Sequence, residues 1–195
     1  NVRTERKQLN LDPNLFLIGF CSRITPEKGL HTLINAIAKL PKTVHLLVAG
    51  TWGSSQYKDE ITELIKSHSC ESRVHFMGFH EYISPIINAC NIIAIPSDTE
   101  AFPLISLEAM ACGKPVLCHD VGGLNEQLDH DKEGFFIRSH DVDDWSNHIR
   151  LLFQDSPCYQ RMSAAALNKS KLFSLKKSID LCEQFYLETL NSWPN

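Results

Sequence analysis

The sequence predicts an α/β fold: a Rossmann-like, doubly wound parallel sheet with helices on both faces. Two observations predict it. Short apolar runs alternate with amphipathic segments along most of the 195 residues. The runs are also near-continuous in apolar character, which is what strands covered on both faces require.

The run over 15–20, LFLIGF, reads as a buried strand. Residues 30–40 follow, with Leu33, Ile34, Ile37 and Leu40 at helical spacing. Residues 44–49, VHLLVA, make a second strand ended by Gly50, and 56–68 a helix with Ile61, Leu64 and Ile65 on one face. A strand over 73–77, a helix over 82–89 and a strand over 91–95, stopped by Pro96, come next. A helix over 103–112 begins with Pro103 at its first position, where a missing N–H costs nothing. Strands over 115–118 and 134–137 complete the sheet. Helices over 142–153, 158–171 and 175–190 fill the last third. The length suits one domain, 1–195, large enough to bury a core without metals or disulfides.

Composition excludes several classes. The formal net charge of -4 offers no basic excess for nucleic acid. No apolar run approaches the roughly 18 residues of a membrane span, and NVRTERKQLN lacks the apolar stretch of a signal peptide. The missing initiator Met predicts a fragment or a processed product. Seven cysteines, an odd number with no CxxC pair, argue against a disulfide framework or structural zinc and for a reducing cytoplasm. The nine histidines form no HxxxH or HExxH pattern, so no metal is expected. Asp141-Val142-Asp143 is formally a DxD metal motif, but it opens a helix, where acids belong in any case.

Ligands of such sheets bind at the carboxyl ends of the strands. Arg23 and Lys28 follow the first strand, Gly50–Gly53 the second, Gly78–His80 the third and Ser97–Phe102 the fourth. These segments should converge on one crevice. Two cations at one strand end suit a diphosphate, Arg as a planar fork and Lys as a point charge. The first N–H groups of the helix after Pro103, those of Leu104 and Ile105, have no internal partner and attract anions.

Glu100 and Glu108 stand out in EAFPLISLEAMACGKP. From Ala101 to Cys112 the only polar side chains are Ser106 and Glu108. A carboxylate in apolar surroundings needs a partner. Glu108, in the second turn of a helix that reads as buried, can accept two hydrogen bonds from a ribose diol; the structural alternative is an ion pair with Lys114. Glu100, on the loop before the helix, can accept from sugar hydroxyls; its bland alternative is an exposed loop acid. Trp52 reads as packing on the domain and Gly122-Gly123 as a turn.

The segment EAFPLISLEAMACGKPVLCHDVGG, with RVHFMGFHEYISPIINACNIIAIPS and SRITPEKGL, resembles the C-terminal, donor-binding domain of retaining glycosyltransferases of the GT-B fold, family 4 type (glycosyl transferases group 1). The resemblance spans nearly the whole chain. It implies that Arg23 and Lys28 hold the leaving diphosphate and that Glu100 contacts the donor sugar near the reacting centre. It implies that the backbone amides of Phe102, Leu104 and Ile105 serve sugar and phosphates. Glu108 would bind the ribose, and the backbone around His80 would border the base. It also implies front-face attack with no metal or cofactor. The substrate would be a nucleoside-diphosphate sugar, the product a polysaccharide or glycoconjugate. The N-terminal acceptor domain would be absent from this chain, leaving the isolated domain inactive, and helix 175–190 would cross back to that domain. The full-length enzyme would be cytoplasmic, with peripheral attachment to a membrane left open. Ser22, Thr51 and Ala101 depart from the family's usual Gly, Asp and Gly, which leaves the sugar's identity open. A non-catalytic nucleotide-sugar-binding module serving a partner subunit is the alternative function; a sugar-nucleotide epimerase lacks identifiable acid–base residues here.

Overall fold

The computed structural model describes residues 2–137 and 141–192. The strands are β1 Phe16–Cys21, β2 Val44–Ala49, β3 Val74–Gly78, β4 Ile92–Ile95, β5 Val116–His119 and β6 Gly134–Ile137. They form one six-stranded sheet in the order β3-β2-β1-β4-β5-β6, every pairing parallel. This is the doubly wound order, with its reversal between β1 and β4. The helices are α1 Val2–Gln8, α2 Leu30–Ala38, α3 Ser55–Ser67, α4 Ser84–Ala89, α5 Leu104–Ala111, α6 Leu124–Gln127, α7 Val142–Gln154, α8 Ser156–Ser170 and α9 Leu175–Ser192.

The continuous apolar character of the strands has its reason in two separate cores. Successive residues of a strand point to opposite faces. In β1, Ile18 and Phe20 join the core under α2, α3 and α7, while Leu17 joins the one under α4 and α5. In β2, Leu46 and Val48 go to the first core and Leu47 and Ala49 to the second. Trp145 of α7 is fully buried on the first face and Met110 of α5 on the second.

Two short helices escaped the sequence reading. One is α6. The other is α1, whose polar sequence hides its anchor: Arg6 is 3% exposed. Its guanidinium donates to the carbonyls of Ala89, Pro13 and Leu15 and to Oδ1 of Asn91, all at 2.7–2.8 Å. Asn91 Oδ1 in turn accepts the amide of Leu17 at the start of β1. Arg6→Ala would strand these acceptors. We expect a loss of about 3 kcal/mol, the size set by several buried, unsatisfied groups, read as a fall in Tm of about 6–12 °C.

Other details depart from the sequence reading. Pro103 is the residue before α5, extended at ψ 125°, and not its first helical residue. Asp141 accepts the amide of Asp143 at 2.8 Å, so the DxD is a helix cap; Asp143 pairs with Lys39. Trp52 packs on Phe76, ring centroids 5.2 Å apart. All seven cysteines are free thiols. α9 buries none of its residues and leaves Leu175, Ile179, Phe185 and Leu190 exposed. Among the described residues, no helix is long and apolar enough to cross a membrane.

Candidate functional site

The connections after β1 and β4 leave in opposite directions, one to α2 and one to α5, and open a crevice at the carboxyl edge of the sheet. Two adjoining cavities fill it. The first, about 270 Å³, is lined by Arg23, Gly50, Thr51, Phe79, His80 and Glu108 among others. The second, about 230 Å³, is lined by Lys28, Ser97, Glu100, Pro103 and Leu104 among others. Cys21, Ser22 and Ile105 border both.

The loop after β1 is held by backbone contacts. Pro26–Lys28 form one 3-10 turn ended by Gly29. A Cβ on Gly29 would lie 2.2 Å from the carbonyl oxygen of Pro96, so only glycine lets the two loops come this close. The amide of Asp98 donates to the carbonyl of Glu27 at 2.9 Å. The two loops are thereby joined, and Lys28 Nζ meets Glu100 Oε1 at 2.7 Å. Their side chains are only 17% and 13% exposed.

A second backbone contact supports Glu100 from behind. Gly122, in the turn after β5, has φ 56°, and a Cβ there would fall 1.5 Å from the carbonyl oxygen of Glu100. The amide of Gly123 donates to the carbonyl of Ala101 at 2.7 Å. The glycine pair is a turn, as its sequence suggests, but its part is to seat the loop that carries Glu100.

α5 starts at Leu104 with no side chain capping it. The carbonyl of Pro103 is fixed instead, by the Ser106 hydroxyl at 2.8 Å and by Nε2 of the buried Gln127 at 3.2 Å. Ser106 also hydrogen-bonds Oε1 of Gln127. The helix start is therefore rigid while its first amides stay open to an anion.

Glu108 corrects the sequence reading. It lies three residues after Ile105 and four after Leu104, so it stands one turn above them on the same face. That face borders the crevice, and Glu108 is exposed rather than buried. Desolvation against the crevice wall still pushes its carboxyl above the ordinary range. The structural alternative fails. Lys114 donates to the carbonyls of Asn88 and Cys90 at 3.0 and 2.7 Å, closing the end of α4. Glu108 has no hydrogen-bond or ion-pair partner among the described residues.

Arg23 is exposed at the mouth of the first cavity and also makes no hydrogen bond among the described residues. His80 is half-buried in the same lining. Seven of the eight candidate residues thus border the two cavities: Arg23, His80, Glu108 and Ile105 the first, Lys28, Glu100, Leu104 and again Ile105 the second. Phe102 lies in neither lining; its ring leans on Phe173, centroids 6.2 Å apart. Phe79, 74% exposed beside His80, belongs to the first cavity and was missed. Its only sequence signal was an aromatic residue just after Gly78. Among the described residues, no three His, Cys, Asp or Glu side chains are grouped to hold a metal ion.

The fold and the crevice define a Rossmann-like α/β domain with a cavity-lined switch point at the carboxyl edge of its sheet. The profile of the family described as glycosyl transferases group 1 matches residues 1–169. A D-inositol 3-phosphate glycosyltransferase of Stackebrandtia nassauensis is 31% identical over 187 residues, covering 90% of this chain and 42% of that protein. HepE of Anabaena, solved in complex with UDP and glucose, is 31% identical with a TM-score of 0.89, covering 98% of this chain and 52% of that one. The C-terminal domain of a glycosyl transferase group 1 protein, LpcC of Francisella tularensis, shares the fold at 21% identity and a TM-score of 0.80, covering 88% of this chain and 91% of that one. The chain belongs to the glycosyl transferases group 1 family, and its fold is that of the C-terminal half of the GT-B architecture. It spans 42% of the Stackebrandtia nassauensis protein and 52% of HepE, about half the length of each.

Proposed function

We propose that this chain is the donor-binding domain of a retaining glycosyltransferase. It would move a sugar from a nucleoside-diphosphate sugar to an acceptor hydroxyl, with an N-terminal acceptor domain supplying the other wall of the active site. The observation that carries the reading is the content of the switch-point crevice. Arg23, Lys28 and the open start of α5 suit a diphosphate, with an unpartnered Glu108 and a loop-held Glu100 on either side. HepE of Anabaena, solved also with UDP-glucose at a TM-score of 0.88, supports a uridine donor.

On this reading the first cavity takes the nucleoside. His80 and Phe79 border the base, and Glu108 accepts from the ribose diol. Arg23 and Lys28 stabilise the charge that develops on the diphosphate as the glycosidic bond breaks, a role of positioning and electrostatics rather than covalent chemistry. Glu100 orients the sugar. The leaving phosphate takes the proton of the acceptor hydroxyl on the face it departs from, which retains configuration and needs no metal. Without the acceptor wall, the isolated domain binds donor and does not transfer.

Titration calorimetry with UDP-, GDP- and ADP-sugars tests this. UDP-glucose is expected to bind equally well with and without EDTA. Arg23→Ala is expected to weaken UDP by about tenfold or more, the worth of a charge-assisted hydrogen bond, and to leave uridine unchanged. A dependence on divalent metal, or no binding of any sugar nucleotide, would sink the proposal. A non-catalytic module would bind in the same way, so a second Rossmann-like unit in the full reading frame separates the two.

A further inference from the structure

The Lys28–Glu100 pair is closed in the free domain, at 2.7 Å and with both side chains largely shielded from water. Lys28 is the only hydrogen-bond or ion-pair partner of Glu100 among the described residues. The pair lines the second cavity, where a diphosphate would have to reach Lys28. Two anions therefore compete for one ammonium group.

We propose that Glu100 is an internal competitor for Lys28 that sets the preference of the site for sugar-bearing donor over bare nucleoside diphosphate. The inference rests on the reading of the crevice as a donor site. Bare UDP takes the charge of Lys28 and gives Glu100 nothing in return, leaving a carboxylate facing a diphosphate across a partly dry cavity. Opposed like charges in such surroundings weaken binding appreciably. A sugar nucleotide brings hydroxyl groups that donate to the released carboxylate, so the broken ion pair is replaced by charge-assisted hydrogen bonds. The same residue would then help the site to shed its nucleotide product. The device depends on both loops: Gly29 and Asp98 bring Lys28 up to the cavity, and the Gly122–Gly123 turn fixes the backbone of Glu100.

The test is calorimetry of the wild-type chain and of Glu100→Gln with UDP, UDP-glucose and inorganic pyrophosphate at low salt. Glu100→Gln is expected to bind UDP and pyrophosphate about tenfold more tightly, and its preference for UDP-glucose over UDP is expected to fall about tenfold or more. Glu100→Asp keeps the charge one methylene further from Lys28 and should therefore gain less UDP affinity than Glu100→Gln does. In a Lys28→Gln background, the change at position 100 should alter UDP affinity by less than about threefold, because the competition has lost its object. Melting curves confirm that each variant is folded. Unchanged or weaker UDP binding by Glu100→Gln overturns the inference, as does an undiminished gain in the Lys28→Gln background. If the wild-type chain binds neither UDP nor UDP-glucose, the donor-site reading falls and the inference with it. If it binds both and only the preference fails to move, the inference falls alone.

Discussion

Glu108→Ala is expected to weaken UDP binding by about 100-fold while leaving inorganic pyrophosphate within about twofold. An ionised acceptor contributes roughly 1.5–3 kcal/mol per hydrogen bond, and a ribose diol offers two donors. The free site loses little when Glu108 engages them, because its carboxylate has no protein partner to give up among the described residues. Glu108→Gln keeps one acceptor and loses the charge, so its affinity should fall between wild type and Ala. The carboxyl also sets a pH dependence. Desolvation holds its pKa above the ordinary 4.5. Binding that needs the ionised form is constant above that raised pKa and declines as the pH falls through it, so the loss begins at a higher pH than an ordinary glutamate would give. Calorimetry over an acidic series checks both points. Equal losses for UDP and pyrophosphate would place Glu108 on the phosphates instead of the ribose.

Periodicity exposed the fold because both faces of the sheet are buried. Runs such as 46–49 are apolar throughout, since Leu46 and Leu47 serve different cores, as strands of a helix-covered parallel sheet require. α1 was invisible for the opposite reason. It is fixed by one buried guanidinium on carbonyl oxygens, and hydrophobic spacing does not register a polar anchor. α6 is too short, at four residues, to show any period.

At the site, the loops after the strands announced themselves through charge and glycine. Which side each group faces did not. Glu108 read as buried because its helix is apolar, yet α5 has one face in the core, with Ala109 and Met110, and another on the crevice. The closure of Lys28 on Glu100 could not be read either. The two lie 72 residues apart and meet only because Gly29 and Gly122 allow backbone to touch backbone. Phe102 enters the candidate site through its backbone amide; its ring packs instead on Phe173, a contact between distant parts of the chain that local spacing does not register.

Gly122→Ala is expected to cost about 3 kcal/mol of stability and to abolish the preference for UDP-glucose over UDP without removing UDP binding. Part of the cost is intrinsic: a left-handed backbone at φ 56° disfavours any L side chain by roughly 1–2 kcal/mol. The rest comes from the clash, because a Cβ at 1.5 Å from the carbonyl oxygen of Glu100 forces that loop outward. Lys28 sits on the other loop, so the shift opens the ion pair and carries Glu100 away from the sugar, while Arg23 and Glu108 keep the nucleotide. Gly78→Ala separates the two terms. Gly78 has φ 75°, and a Cβ there meets nothing within 4 Å. It should cost only the intrinsic part, about 1 kcal/mol, and keep the preference for the sugar. Equal losses of Tm in the two variants, or an unchanged preference in Gly122→Ala, would show that the turn after β5 does not hold Glu100 in place.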